Sequence, residues 1–111
     1  MDKLIDYTQI IESVLQDYAS IPYSQGEINN CVIVDAERKN FLLMTMGWEG
    51  HRRVHGCIVH IQIIDDKVWI QRDGIEDSVT EELEVAGIPK DKIVLAFYPS
   101  HVRPHTGYAI A

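Results

Sequence analysis

The first part of the chain carries apolar residues at helical spacing. Between residues 3 and 18 they fall on or beside one stripe: Leu4, Tyr7, Ile10, Ile11, Val14, Leu15 and Tyr18. This period predicts an amphipathic helix, with Asp2 as its expected N-cap. We expect the helix to end before Pro22, because a residue that precedes proline avoids the α region. The polar residues 24–30 are predicted to form a loop.

From residue 31 onward the apolar residues alternate with polar ones, which is typical of β-strands. Strands are predicted at Cys31–Asp35, Phe41–Trp48, His51–Ile64, Lys67–Arg72 and Ile93–Tyr98. Polar turns separate the first four strands: residues 37–40, the hairpin Glu49-Gly50 and the pair Asp65-Asp66. In the third strand the expected core face consists of Cys57, Val59, Ile61 and Ile63.

A second, shorter helix follows the strands. Ser78-Val-Thr-Glu81 matches a capping box, in which each of the two end residues satisfies the amide of the other. We expect this helix to end at Gly87 and to direct Val79, Leu83 and Ala86 toward the core. The tail is irregular until Tyr108–Ile110, which is predicted to pack against the core.

Together these elements predict an α+β fold: a mostly antiparallel sheet of about five strands, with the N-terminal helix and the second short helix packed on one face. The 111 residues are enough for one domain, which is predicted to span residues 1–111. No apolar run approaches the ~20 residues of a membrane span. The N-terminus also lacks the pattern of a signal peptide, so a cytoplasmic protein without a membrane segment is expected.

The chain is acidic, with a formal net charge of −7. Residues 1–37 carry seven carboxylates and one Lys, and residues 73–84 carry six carboxylates and no base. This charge opposes wrapping by nucleic acid, because such binding neutralises many phosphates. It favours a soluble partner, such as a basic protein, although simple solubility would explain the same charge.

One block, residues 47–74, contains both Trp, three of the five His and three of the five Arg. Gly50 to Ile64 contains no carboxylate at all. Arg pairs with carboxylate or phosphate groups, and Trp anchors many interfaces. The block therefore predicts a candidate interaction surface formed by Trp48, His51, Arg52, Arg53, His55 and Arg72. The alternative is a solvated hairpin whose Arg side chains pair with Glu49 and Asp73, while both Trp belong to the core.

Catalytic and metal-binding patterns are absent from the sequence. The His51/His55 and His101/His105 pairs share a spacing but match no zinc signature, and no Gly-x-Ser-x-Gly or CxxC motif occurs. Cys31 and Cys57 are expected to be buried thiols rather than a disulfide or metal pair. We therefore predict no catalytic residue, no metal and no cofactor. An enzyme built around the His residues is the weaker alternative.

The residues also resemble a known family. Gly47-Trp-Glu-Gly-His-Arg-Arg-Val-His-Gly-Cys57 and Ile63-Ile-Asp-Asp-Lys-Val-Trp-Ile-Gln-Arg-Asp-Gly74 are similar to strings of the XisI family, and the likeness extends over essentially the whole chain. The resemblance implies a cyanobacterial accessory factor for excision of the fdxN DNA element during heterocyst differentiation, where a separate recombinase rearranges the DNA. It also implies a companion, XisH, which looks nuclease-like and which an XisI protein could inhibit. The family supplies no catalytic residues to carry over.

Two classes of function are therefore expected. The first is a non-enzymatic regulatory protein that binds an XisH-like partner through a sheet edge, the hairpin or an acidic face. The second is a small nucleic-acid-binding accessory module that uses Arg52, Arg53, Arg72 and the His cluster. Self-association through sheet edges is compatible with either class.

Overall fold

A computed structural model describes residues 3–21 and 27–111, and side chains from Tyr7 onward. The elements, in chain order, are helix α1 (Lys3–Ala19), strands β1 (Glu27–Val34), β2 (Asn40–Glu49), β3 (Arg52–Ile64) and β4 (Lys67–Asp73), helix α2 (Val79–Val85) and strand β5 (Ile93–Leu95). Short 3₁₀ turns cover Lys90–Lys92 and Arg103–His105. Within these ranges no helix is long and apolar enough to cross a membrane.

The strands form one sheet in the order β1-β2-β3-β4-β5. The first four are an antiparallel meander, and β5 lies parallel to β4. Both helices contribute to a core that also takes alternate residues of the strands; its fully buried members include Ile11, Leu15, Phe41, Leu43, Val59, Ile61, Ile70, Leu83 and Ile93. We call the helix-covered face of the sheet the inner face and the opposite one the outer face. This arrangement confirms the predicted α+β fold.

Two turns shape the meander. The turn between β2 and β3 consists of Gly50 and His51, since Glu49 pairs with Arg52. The predicted turn at Glu49-Gly50 is therefore one residue too early. Gly50 has a φ of 64°, so glycine supplies the positive φ at the first turn position. The Asp65-Asp66 turn is confirmed, and both residues have positive φ, as a two-residue turn that matches the strand twist requires.

A β-bulge in β3 changes which side chains reach the core. Leu43 pairs with Val59, but the next residue, Met44, pairs with Cys57, so Ile58 is the extra residue. Beyond the bulge the alternation is offset: Ile58 packs against the core, and Cys57 shares the outer face with Met44. The predicted core face is therefore wrong at Cys57 and correct further along β3. Cys31 and Cys57 are free thiols, as predicted, but they are half-buried and not buried.

Helix α2 is capped from outside its own sequence. The predicted capping box is wrong, because Ser78 makes no side-chain cap bond and has a φ of 65°. Asp73, at the end of β4, accepts hydrogen bonds from the Val79 N–H (3.0 Å) and the Thr80 N–H (3.5 Å). It also accepts from the Ser78 hydroxyl (3.1 Å) and the Thr80 hydroxyl (3.2 Å). The Asp73 carboxylate thus caps the N-terminus of α2, the role predicted for Ser78 and Glu81.

The C-terminus of α2 agrees with the prediction. Gly87 has a φ of 121°, its N–H donates to Glu84 O, and the Ile88 N–H donates to Leu83 O. This pair of bonds is the Schellman motif, which requires a residue of positive φ after the helix. Ala86, however, is exposed, because the buried stripe of this short helix consists of Val79, Thr80 and Leu83.

The remaining differences concern strand lengths and the tail. β1 begins at Glu27, inside the predicted loop, because the longer β2 gives its polar residues backbone partners. β5 ends at Leu95 rather than at Tyr98, because the chain turns there and the Tyr98 N–H donates to Leu95 O. Tyr108 packs against the core as expected, whereas Ile110 is exposed. The predicted N-cap at position 2 and residues 22–26 lie outside the described residues.

Candidate interaction surface

The outer face of the sheet is not covered by either helix. Side chains alternate across a strand, so the buried inner residues Phe41 and Leu43 place their neighbours on the outer face. The outer apolar residues of β1 and β2 are half-buried or exposed: Cys31, Ile33, Leu42, Met44, Met46 and Trp48. At the far side of this face Arg103 lies over Trp69, and Ala109 bridges to Val94 beside β5. The open part therefore lies over β1, β2 and β3.

Trp48 and Arg53 lie at the hairpin end of this face. They are cross-strand partners, and the Arg53 guanidinium carbon lies 5.4 Å from the centroid of the Trp48 ring. Arg53 Nη1 also donates to Gly47 O at 3.3 Å. Trp48 is 47% exposed, so the alternative that places it in the core is wrong. Trp69 is likewise outside the core cluster, on the outer face beneath Arg103.

Arg52 lies on the inner side of the hairpin and pairs with Glu49 at 3.3 Å. The alternative interpretation foresaw this ion pair. The same interpretation predicted an ion pair between an Arg and Asp73. That prediction is wrong, because the Asp73 carboxylate accepts hydrogen bonds from the N-terminus of α2. Both members of the Arg52–Glu49 pair are exposed, and such pairs contribute little to stability. Arg52 can therefore exchange this partner for another carboxylate at low cost.

A groove of about 370 Å³ runs beside the hairpin half of β3. Its described lining contains four side chains that can carry positive charge and no carboxylate; the residues are Thr45, Arg52, Arg53, Val54, His55, Gly56, Cys57, Ile58, Arg72 and Gly74. We call this the basic groove. It brings together four of the six predicted surface residues. Trp48 adjoins it through Arg53, whereas His51 lies in the exposed turn and outside the lining.

A second depression, between the two helices, has a lining of the opposite charge. It is broad, at about 1040 Å³, and lies between α1 and α2. The charged residues in its described lining are Asp17, Glu82 and Glu84. Carboxylates thus line the depression between the helices, and guanidinium groups line the groove beside β3. Such an arrangement orients an approaching charged partner.

The groove's only thiol is not activated. Burial raises the pKa of Cys57, and the nearby Arg72 charge opposes this effect without cancelling it. The thiol donates to Val59 O at 3.1 Å. Within residues 3–21 and 27–111, no three His, Cys, Asp or Glu side chains lie close enough to hold a metal ion. The groove offers cations and hydrogen-bond donors, which are the groups that bind an acidic partner.

Next to the groove, a chain of hydrogen bonds crosses the outer face. Gln71 donates to Gln62, and Gln62 donates to Asn40 Oδ1, each at 2.8 Å. The His60 ring lies 3.2 Å from the same Asn40 oxygen. His60 therefore has a structural partner and differs from His55, which is exposed in the groove.

Sequence reasoning missed six residues that complete the groove: Thr45, Val54, Gly56, Cys57, Ile58 and Gly74. They carry no charge, so no motif marks them. One available signal was the unequal length of the two strands, because β3 has 13 residues and β4 only seven. The unpaired half of β3 is where the groove lies.

Three comparisons with known proteins bear on identity. The first curated relative is the large ribosomal subunit protein eL14 of Aeropyrum pernix, 43% identical over 60 residues. That match covers 52% of this chain and 60% of the ribosomal protein, so the chain spans less than two thirds of that relative. It is a local likeness, and it does not establish membership of that protein's family.

Solved structures match over nearly the full length. A XisI-like protein from Anabaena variabilis superposes with a TM-score of 0.88 at 32% identity, covering 97% of this chain and 99% of the other. The fdxN element excision controlling factor XisI from the same organism gives a TM-score of 0.81 at 33% identity, covering 99% and 100%. A family profile described as "XisI protein" matches residues 1–110. The chain therefore belongs to the XisI family.

Proposed function

We propose that this protein is a non-enzymatic regulatory factor that binds an XisH-like protein and thereby controls programmed excision of a DNA element, or inhibits that partner. One observation carries the proposal: three Arg and one His converge on a groove with no carboxylate in its described lining. The groove is basic although the chain as a whole has a formal net charge of −7. The relative named an fdxN element excision controlling factor supports the same general role.

The hairpin has the composition of a protein-binding surface. Interface hot spots are enriched in Trp and Arg, and Trp48 is 47% exposed with Arg53 stacked on it. A cation held on a ring is ordered before binding, which lowers the entropy lost when the complex forms. Arg52 and Arg72 extend the charge along the groove. The expected contact on the partner is an acidic patch beside an apolar pocket for Trp48.

The local chemistry supports binding rather than catalysis. The Cys57 thiol has a raised pKa, so little of it is the nucleophilic thiolate near neutral pH. His60 is engaged with Asn40. The charged side chains in the groove's described lining are Arg52, Arg53 and Arg72, which suits recognition of an anionic surface.

Co-expression tests the proposal. The gene for this chain is expressed together with that for an XisH-like protein, and an affinity tag is placed on the partner only. We expect both proteins to elute together from affinity and size-exclusion columns in a fixed ratio. Separate elution of two folded proteins would contradict the proposal.

The same three Arg support a second candidate, a nucleic-acid-binding accessory module, because guanidinium groups also pair with phosphates. A protein that neutralises about three phosphates loses affinity for duplex DNA with a log–log salt slope of about −2.7. Titration of labelled duplex at several salt concentrations measures this slope. The absence of binding at low salt excludes the second candidate and leaves the first untouched.

A further inference from the structure

β3 has an open edge where the basic groove lies. On one side β3 pairs with β2 from Arg52 to Gln62. On the other side its pairing with β4 begins only at Val59. Just before this point, Ile58 O accepts the Gly74 N–H at 2.8 Å, and the chain then leaves the sheet toward α2. Within the described residues, the segment Arg52–Cys57 therefore has a strand neighbour on one side only.

The register shows which backbone groups this edge presents. Glu49 and Arg52 flank the two-residue turn and pair with each other, so their backbone groups face across the hairpin. Residues of an antiparallel ladder alternate between facing their partner strand and facing away from it. The N–H and C=O groups of Arg53, His55 and Cys57 consequently point away from β2. These groups line the edge that β4 does not reach.

Side chains on both faces of the sheet border this edge. Arg52 lies on the inner side, and Arg53, His55 and Arg72 lie on the outer side of the same groove. An added strand would therefore pass between guanidinium groups whichever way its side chains alternate. Its own carboxylates would meet Arg on either face. Gly56 leaves room for a second backbone, because even a Cβ at this position would meet no described atom within 4 Å.

We propose that the open edge of β3, residues 52–57, binds an extended acidic segment of a partner protein as an added β-strand. The backbone of Arg53, His55 and Cys57 supplies the ladder, and Arg52, Arg53, His55 and Arg72 select carboxylate side chains. Strand addition of this kind takes its affinity from main-chain bonds and its specificity from flanking side chains. The inference rests on the proposed partner-binding function and specifies how the contact is made.

A second copy of this chain fits the edge less well. Antiparallel pairing of two copies over residues 52–57 would place Arg52 opposite Cys57 and Arg53 opposite Gly56 of the second copy. It would bring a second set of basic side chains, and no carboxylate, to a groove whose described lining is already basic. The other long open edge is β1, whose sequence Glu-Ile-Asn-Asn-Cys-Val-Ile-Val has a single carboxylate, Glu27. One carboxylate leaves most of the groove's positive charge unpaired. A separate acidic segment is the better complement.

A direct test uses a hexapeptide of alternating Glu and Val and measures amide hydrogen exchange by NMR. We expect the peptide to slow the exchange of the Arg53, His55 and Cys57 amides, because strand addition bonds these N–H groups. A Lys-Val hexapeptide serves as the control and should produce no protection. Protection elsewhere, binding without protection, or no binding at millimolar peptide would each overturn the inference. The inference would also be wrong if single-stranded DNA at equal concentration displaced the acidic peptide and neither ligand protected these amides.

Two substitutions at one position separate backbone from side chain. His55→Pro removes the edge N–H without touching the β2 ladder, since proline is tolerated at an outward-facing edge position. His55→Ala removes the imidazole and keeps the N–H. We expect roughly tenfold weaker peptide binding for the proline variant and less than about threefold for the alanine variant. Equal losses would contradict strand addition, provided that both variants keep the wild-type circular dichroism spectrum.

The two proposals can fail separately. If the acidic peptide protects the edge but no XisH-like protein co-purifies, the edge site remains and the proposed function falls. If the XisH-like protein binds His55→Pro as tightly as it binds wild type, the proposed function remains and the edge inference falls.

Discussion

Arg53 lies directly opposite Trp48 in the β2–β3 ladder, with its guanidinium carbon 5.4 Å from the centroid of the indole ring. The same guanidinium donates to Gly47 O at 3.3 Å. Two long side chains at the exposed end of a hairpin are thus held in one arrangement. The hairpin thereby presents a flat aromatic ring and an adjacent cation next to the basic groove.

A double-mutant cycle measures this relationship. Trp48→Ala, Arg53→Ala and the double variant are unfolded in urea. We expect a coupling free energy of about 0.5–1 kcal/mol, the size of a cation–π contact at an exposed site. Strict additivity of the two single substitutions would show that the pair makes no energetic contribution.

Gly47 lies directly against the backbone of β1. It has a φ of 146°, and a Cβ at this position would lie 2.8 Å from the Glu27 carbonyl carbon and 2.9 Å from Ile28 Cα. Gly47→Ala is therefore expected to lower the free energy of unfolding by about 3 kcal/mol or more. Gly56→Ala is the matched control, because a Cβ there meets no described atom within 4 Å. Its expected effect is below about 1 kcal/mol, and equal effects of the two variants would contradict this explanation.

The carboxylate of Asp73 links β4 to α2. It accepts hydrogen bonds from Ser78, Val79 and Thr80, and Thr80 is only 4% exposed. Asp73→Ala should cost about 1–3 kcal/mol in urea unfolding, because it leaves helix N-terminal donors without a partner. The exposed Asp77 gives the control variant Asp77→Ala, which removes the same charge four residues away. The explanation fails if Asp73→Ala is no more destabilising than Asp77→Ala.

The stability of the fold is expected to depend on the ionisation of Tyr108 at alkaline pH. Burial and the hydrogen bond that its hydroxyl donates to Glu84 raise the pKa of Tyr108 from 10.0 to about 12. Because the folded pKa lies above the unfolded one, the neutral phenol contributes fully below pH 10, and its contribution is lost as the pH rises toward 12. The variant Tyr108→Phe has no phenol to ionise, so its stability has no such dependence on pH. The difference in unfolding free energy between wild type and Tyr108→Phe should therefore shrink across that range, and a constant difference would contradict the assignment.

Local patterns predicted most of the secondary structure. The helical stripe that includes Ile11 and Leu15 and the alternation through Val59, Ile61 and Ile63 report burial directly, since side-chain period follows from backbone geometry. Gly87 was also predictable, because a helix end needs a positive φ. These features depend on residues that are close in sequence.

The features that were missed depend on contacts between distant residues. The polar segment that begins at Glu27 joins the sheet because β2 extends beside it. The bulge at Ile58 is hidden because Cys57 and Ile58 are both apolar, so neither face is marked. Asp73 caps α2 only because β4 ends where the helix begins.

The composition of the sequence predicted residues of the candidate site but not the groove that they form. Arg52, Arg53 and Arg72 stood out as a cluster in an acidic chain. That they share one groove follows from the register of β3 and β4 and from where β4 ends. The unequal lengths predicted for β3 and β4 indicate that part of β3 has no partner, but only the β3–β4 register, which tertiary packing sets, places the open edge at residues 52–57.

Titration calorimetry with a purified XisH-like protein tests the central claim most directly. The chain is compared as wild type, as the double variant Arg52→Ala plus Arg53→Ala, and as the control Arg38→Ala plus Lys39→Ala, whose residues lie in the β1–β2 turn. The exposed ion pairs of Arg52 and Arg38 contribute little to stability, and the loss of the Arg53–Trp48 contact should lower the unfolding temperature by at most about 4–8 °C. All three proteins should therefore be folded during the titration.

We predict that the hairpin variant binds at least about tenfold more weakly than wild type, while the control binds within about twofold of it. Equal affinity of the hairpin variant and wild type for the XisH-like protein would contradict the claim that this surface is the contact.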